Sequence, residues 1–194
     1  SNLLDKNNWK KVGNYVAKAQ EDKSELKQLV STLNPGGPKY NYFGFLKYAN
    51  NQLYTCNGNV GGQKDACIQI LGKDNWNIYQ DDNISNITGV GYKDLVCIDY
   101  DPLDIKHVFA GGRNGLYEFY DGKFVKHHNH TNSLIEIVGG LQNNAEYELV
   151  QGIKYDASGN LWLLNSEAPN SSLIEYSKDQ EWISRSKSEL MKYE

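Results

Sequence analysis

Gly152-Ile153-Lys154-Tyr155-Asp156-Ala157-Ser158-Gly159-Asn160-Leu161-Trp162-Leu163-Leu164 reads as two β-strands joined by a tight turn, and this stretch decides the fold. Gly159 suits a position of positive φ, and Asp156 and Asn160 offer side chains that bond the turn's own backbone. Ser172-Leu173-Ile174-Glu175-Tyr176 and Glu181-Trp182-Ile183-Ser184 follow as a third and a fourth strand. Four short consecutive antiparallel strands, here named a to d, make one blade of a β-propeller.

The same pattern occurs twice more upstream. In the first copy strand a is Tyr42–Tyr48, the turn is Ala49-Asn50-Asn51-Gln52, and strand b is Leu53–Cys56. Strands c and d are Ala66–Leu71 and Trp76–Tyr79. In the second copy strand a is Leu95–Tyr100, and Asp101-Pro102-Leu103-Asp104 makes the turn. His107–Ala110, Gly115–Phe119 and Lys123–Lys126 complete it, with Asp121-Gly122 as the strongest hairpin signal of the chain. The b strands open at Leu53, His107 and Leu161, a repeat of about 54 residues. Strand residues alternate imperfectly, as inner strands covered on both faces do.

Composition agrees with an all-β chain. Of 194 residues, 14 are Tyr, 4 Trp and 5 Phe, and aromatic residues suit half-buried pleated surfaces. The net charge of −4 comes with no Lys/Arg run, which argues against a nucleic-acid partner. No apolar run reaches the roughly 18 residues that a spanning helix needs, and no signal-peptide pattern opens the sequence. Ser1-Asn2 reads as the remnant of a cleaved expression tag, so the sequence is expected to begin inside a longer natural protein. Cys56, Cys67 and Cys97 are read as small buried hydrophobes. A Cys56–Cys67 disulfide across a b–c hairpin, in an oxidising compartment, is the alternative.

The organisation expected is an all-β propeller fragment of about three four-stranded blades with a short helical insertion. Residues 1–15 are a leftover outer strand, around Asn8–Val12, and residues 16–38 a helical connector. There Leu26, Leu29, Val30 and Leu33 form one apolar stripe that Asn34-Pro35-Gly36-Gly37-Pro38 ends. Blades occupy 39–84, 90–131 and 145–185, and 186–194 is a tail or the start of a helix at Ser186. Asp81-Asp82-Asn83 is a polar connector. Propellers close with about four to eight blades, and three leave two apolar flanks open. The chain is therefore expected to self-associate or to need the rest of its propeller.

Asp101-Pro102, His107-Val108-Phe109-Ala110-Gly111-Gly112, Gly115-Leu116-Tyr117-Glu118-Phe119 and Asn132-Ser133-Leu134 resemble one blade of a Bacteroidetes propeller family. Asp156-x-x-Gly159-Asn160-Leu161-Trp162 and Leu33-Asn34-Pro35-Gly36-Gly37-Pro38 are similar to the same pattern, so the resemblance spans residues 33–184. That family includes PorZ-like proteins of the type IX secretion system and the extracellular two-component regulator propellers of hybrid histidine kinases. The kinase sensors repeat Trp-Ile-Gly-Thr before a Gly-Gly-Leu, whereas Trp162 continues Leu163-Leu164-Asn165, so the PorZ-like branch is the better fit. The resemblance implies a periplasmic or cell-surface, non-catalytic module that binds a partner protein or an anionic polysaccharide such as lipopolysaccharide. The alternative it implies is the glycan-sensing propeller of a hybrid two-component regulator. It implies no cofactor.

His127-His128-Asn129-His130 is the one cluster with metal-ligating side chains. Adjacent strand residues point to opposite faces, so three of these do not converge, and the segment is read as a solvated strand exit without metal. Asp99, Asp101 and Asp104 are read as an Asx turn around Pro102, since the spacing departs from a calcium loop. No Gly-x-Ser-x-Gly elbow, His-Glu-x-x-His pair, phosphate loop or dinucleotide fingerprint occurs, and no enzymatic activity is expected. In a propeller the b–c loops and d–a connectors share one face of the disc. Arg113 and Asn114, Asn165, and His128 in the connector that runs to Asn143 are the ligand candidates there. Arg113 leads, because a guanidinium fork fits the carboxylate or phosphate of an anionic glycan. Its competing reading is an exposed turn residue.

Overall fold

The computed structural model describes residues 37–139, 141 and 147–187, which apart from Gly37 fall in the compact unit Pro38–Glu194. The outer strand expected near residues 8–12 and the helix expected at 22–33 lie outside the described residues, as does all but the start of the segment 186–194.

Among the described residues twelve strands form three four-stranded antiparallel sheets. The first holds β1 (Phe45–Ala49), β2 (Gln52–Cys56), β3 (Gln69–Leu71) and β4 (Trp76–Ile78), each paired with the next. The second holds β5 (Leu95–Tyr100), β6 (His107–Gly112), β7 (Gly115–Tyr120) and β8 (Lys123–His128). The third holds β9 (Val150–Tyr155), β10 (Leu161–Asn165), β11 (Leu173–Tyr176) and β12 (Trp182–Ser184). Up-and-down order within each sheet, repeated three times, is the architecture of consecutive propeller blades.

The hairpins follow from their turn residues. Asn50 and Asn51 both adopt positive φ, 50° and 56°, between β1 and β2, and Asp121 and Gly122 do so at 49° and 77° between β7 and β8. Paired positive φ values twist the turn with the strands it joins. Asp101 accepts the Leu103 N–H at 2.8 Å and Asp104 the Lys106 N–H at 3.1 Å, so the turn around Pro102 is the Asx type.

Two local departures have physical causes. Strand c of the first copy is shorter than the sequence suggests, because Ala66 donates to the Tyr92 carbonyl at 3.1 Å and Asp65 bridges Lys93. Residues 65 and 66 thus bond the segment leading into the second sheet rather than β2, and the Ile68 carbonyl accepts the Tyr79 N–H at 3.0 Å. The polar connector 81–83 leads into a five-residue helix, α1 (Ile84–Thr88), which buries Ile84 and ends at Gly89, φ 74°. One helical turn is too short to show a period in sequence, and the burial of Ile84 holds it in place.

The core lies between the sheets, not within any one of them. Tyr54, Cys56 and Ile70 of the first sheet pack with Ile98, Val108, Ala110, Tyr117 and Phe119 of the second. Phe109 and Leu116, on the opposite face of the second sheet, pack with Tyr155, Leu161, Leu163, Ile174 and Tyr176 of the third. Along β6, Val108 and Ala110 point one way and Phe109 the other, and all are buried, because this sheet is covered on both sides. Gly111 sits at a close approach of the second and third sheets, where a methyl would lie 2.6 Å from the Val150 side chain and, within its own sheet, 2.8 Å from Cys97 Sγ. All three cysteines are free and buried, so the Cys56–Cys67 disulfide is not formed. Among the described residues no helix is long and apolar enough to cross a membrane.

Candidate functional site

The b–c loops and d–a connectors do gather polar side chains, but these are turned inward. Arg113, Asn114, Asn165 and His128 are 4%, 2%, 0% and 1% exposed. Arg113 is thus not an exposed turn residue, and none of the four presents itself to a ligand on an open face. Stacking one blade on the next covers the loop ends as it covers the strands.

Each of these side chains holds a loop. Arg113 and Asn114 form the two-residue turn between β6 and β7, closed by the Gly112–Gly115 pair. Arg113 Nη1 stands 3.8 Å from Asp94 Oδ2, and the guanidinium lies over the Tyr147 ring, 4.5 Å from its centroid. Asp94 in turn accepts the backbone N–H groups of Gly61, Gln63 and Lys64 at 3.1, 3.0 and 2.8 Å. One buried carboxylate therefore organises the b–c loop of the first blade and faces the guanidinium of the second. The Asn114 side chain donates to the Gly91 carbonyl. The backbone carbonyl of Asn114 accepts from His127 Nε2 at 2.5 Å. Burial holds the His127 ring below its ordinary pKa against that hydrogen bond. Asn165 receives the Glu136 N–H at 2.7 Å and donates to the Leu149 carbonyl at 3.2 Å.

Two further carboxylates complete the network. Glu148 binds His130 twice, through its N–H at 3.0 Å and its Nδ1 at 2.5 Å. Burial pushes the Glu148 carboxyl upward, and His130 opposes the shift without cancelling it. Glu136 accepts the N–H groups of Asn170 and Ser171 at 2.7 and 2.8 Å. A shallow hollow lined by His130, Ser133, Leu134, Glu136 and Ser171 opens beside these contacts. Sequence reasoning missed Asp94, Glu136 and Glu148, since isolated acids in loops carry no spacing signal.

His128 belongs elsewhere. It projects between the second and third sheets, where its ring lies 5.4–5.5 Å from those of Tyr176 and Trp182. Its Nε2 is 2.8 Å from Glu118 Oε2, and His107 Nε2 is 2.8 Å from Oε1 of the same carboxylate. The strand exit at His127 and His128 is accordingly buried and not solvated, which corrects the expectation for this segment. His127 and His128 do point to opposite faces, one against Tyr117 and the other against Trp182. Among the described residues no three His, Cys, Asp or Glu side chains group as a metal site would require. Asp99, also buried, ion-pairs with Lys47 and lies 3.4 Å from Lys154 Nζ, so it joins all three blades.

No protein-family model matches the chain, and no curated protein matches it. Among solved structures it is similar to PorZ, an essential bacterial surface component of the type-IX secretion system of Porphyromonas gingivalis. The TM-score is 0.70 at 23% identity, over 80% of this chain and 21% of that one. This likeness shows the fold, and the chain spans about a fifth of that protein's length. The extracellular domain of a putative hybrid two component system from B. thetaiotaomicron is also similar, at TM-score 0.36 and 12% identity over 80% of this chain and 23% of that one.

Proposed function

We propose that the protein is a non-catalytic, extracytoplasmic propeller module that works by binding a partner protein, in the manner of a PorZ-like surface component. The observation that carries this reading is the shared three-blade architecture, with its TM-score of 0.70 to a segment of PorZ. The loop face supports it. Arg113 facing Asp94, and Glu136 bonded to Asn170 and Ser171, hold its loops, which makes a rigid platform of defined shape. A rigid, shaped surface suits a folded protein partner. The apolar outer faces of the first and third sheets are to be covered by the rest of a propeller.

The test is affinity capture from the envelope of the producing bacterium, with immobilised chain and chemical cross-linking. A stoichiometric envelope protein cross-linked through residues 130–137 or 165–172 supports the reading. Retention of purified anionic lipopolysaccharide in place of any protein would replace it with glycan binding. Turnover of a polysaccharide substrate would overturn the non-catalytic part.

A further inference from the structure

Every inner strand carries a charged residue followed by tyrosine: Lys47-Tyr48, Asp99-Tyr100 and Lys154-Tyr155. The pairing registers make the three positions equivalent. The charged residue lies opposite an aromatic on the neighbouring strand, Tyr54, Phe109 and Trp162 in turn. The tyrosine lies opposite Leu53, Val108 and Leu161.

The equivalence reveals one rule at both blade junctions. The tyrosine of the later blade packs on the aromatic of the earlier one, Tyr100 on Tyr54 at 5.5 Å and Tyr155 on Phe109 at 6.0 Å between centroids. The charged residue of the later blade meets its counterpart of opposite sign in the earlier one. Asp99 pairs with Lys47, and Lys154 lies 3.4 Å from Asp99. The signs run plus, minus, plus.

The outer face of the third sheet repeats the half of this junction that an earlier blade contributes. Lys154, with a side chain 73% exposed, stands beside Trp162 over an apolar groove lined by Gly152, Leu164 and Leu173. Leu164 is 54% exposed there. The outer face of the first sheet supplies the other half with the wrong sign. It offers Tyr48, 68% exposed, but the residue before it on the strand is Lys47, which turns to Asp99 of the second sheet.

We propose that the outer face of the third sheet is the docking surface for a further propeller blade whose inner strand carries a carboxylate side chain followed by an aromatic residue. A second copy of this chain is not that blade, because it would bring Lys47 against Lys154. Burying like charges side by side costs what the alternating pairs gain. The inference rests on the blade architecture alone, so it stands or falls separately from whether the module's ligand is a protein or a glycan.

The test is the self-association of Lys154→Glu by sedimentation equilibrium at low salt. This variant offers a second copy's Lys47-Tyr48 a charge of opposite sign, as Lys47 does Asp99-Tyr100, and it leaves the Lys47–Asp99 pair in place. It is expected to associate at least about tenfold more tightly than the wild type, with the gain lost at high salt and in Lys154→Glu/Trp162→Ala. Lys154→Gln, which cannot repel Asp99, is expected to fall between the two. Wild-type association as tight as that of both variants would overturn the proposal, as would a gain that survives high salt.

Discussion

The backbone N–H of Tyr155 donates to the carboxylate of Asp99 at 2.7 Å, so the inner strand of one blade is tied directly to that of the next. The other oxygen of Asp99 pairs with Lys47, whose ammonium is pulled down by burial and supported by this contact. A single side chain thus fastens three sheets whose apolar faces are buried against one another.

Replacing Asp99 with alanine removes the clamp and leaves the Tyr155 N–H and the half-buried Lys47 uncompensated. We expect a loss on the order of 3 kcal/mol, read as a lower urea midpoint. Replacement of Lys154 by alanine should cost far less, because its side chain is 73% exposed. Equal losses in the two variants would show that Asp99 is not the clamp.

Glu118 gives the seam between the second and third blades a defined pH response. Burial by itself would raise its carboxyl, but hydrogen bonds from His107 and His128 outweigh burial and bring it down to about 2. Its stabilisation is therefore complete above the unfolded value of about 4.3 and fades as pH falls towards 2. Wild type should lose up to about 3 kcal/mol through this group across that window. Urea unfolding of Glu118→Gln between those pH values should show a correspondingly shallower decline. An identical slope in both proteins would remove Glu118 from the account.

The three thiols should be silent in the native protein. Burial pushes Cys67 and Cys97 up to about 12 and Cys56 higher still, so almost no thiolate is available to react at neutral pH. A colorimetric thiol assay should read none in buffer and all three in denaturant without reductant. One thiol in denaturant would mean that a disulfide forms after all.

Arg113 is expected to act on stability. Arg113→Ala should lower the unfolding midpoint by an amount on the order of 3 kcal/mol, since Asp94 is left buried against it. In a double-mutant cycle with Asp94→Ala the losses should be less than additive. A normal midpoint with lost binding to an anionic glycan would return Arg113 to the ligand face.

Strand identity, hairpin positions and the three-fold repeat were legible in the sequence because they rest on local chemistry. Asp121-Gly122 and Asn50-Asn51 dictate their turns whatever surrounds them, and the repeat of about 54 residues declares the blades. What the loop residues do was not legible, because it depends on neighbours supplied by other blades. Arg113 and Asn114 look like an exposed turn until Asp94, Tyr147 and Gly91 close over them. His128 looks solvated until Tyr176 and Trp182 of the third blade cover it. The alternation of Lys47, Asp99 and Lys154 was present in the chain throughout, yet only stacking the sheets brings those charges together, and only that contact gives their signs a meaning.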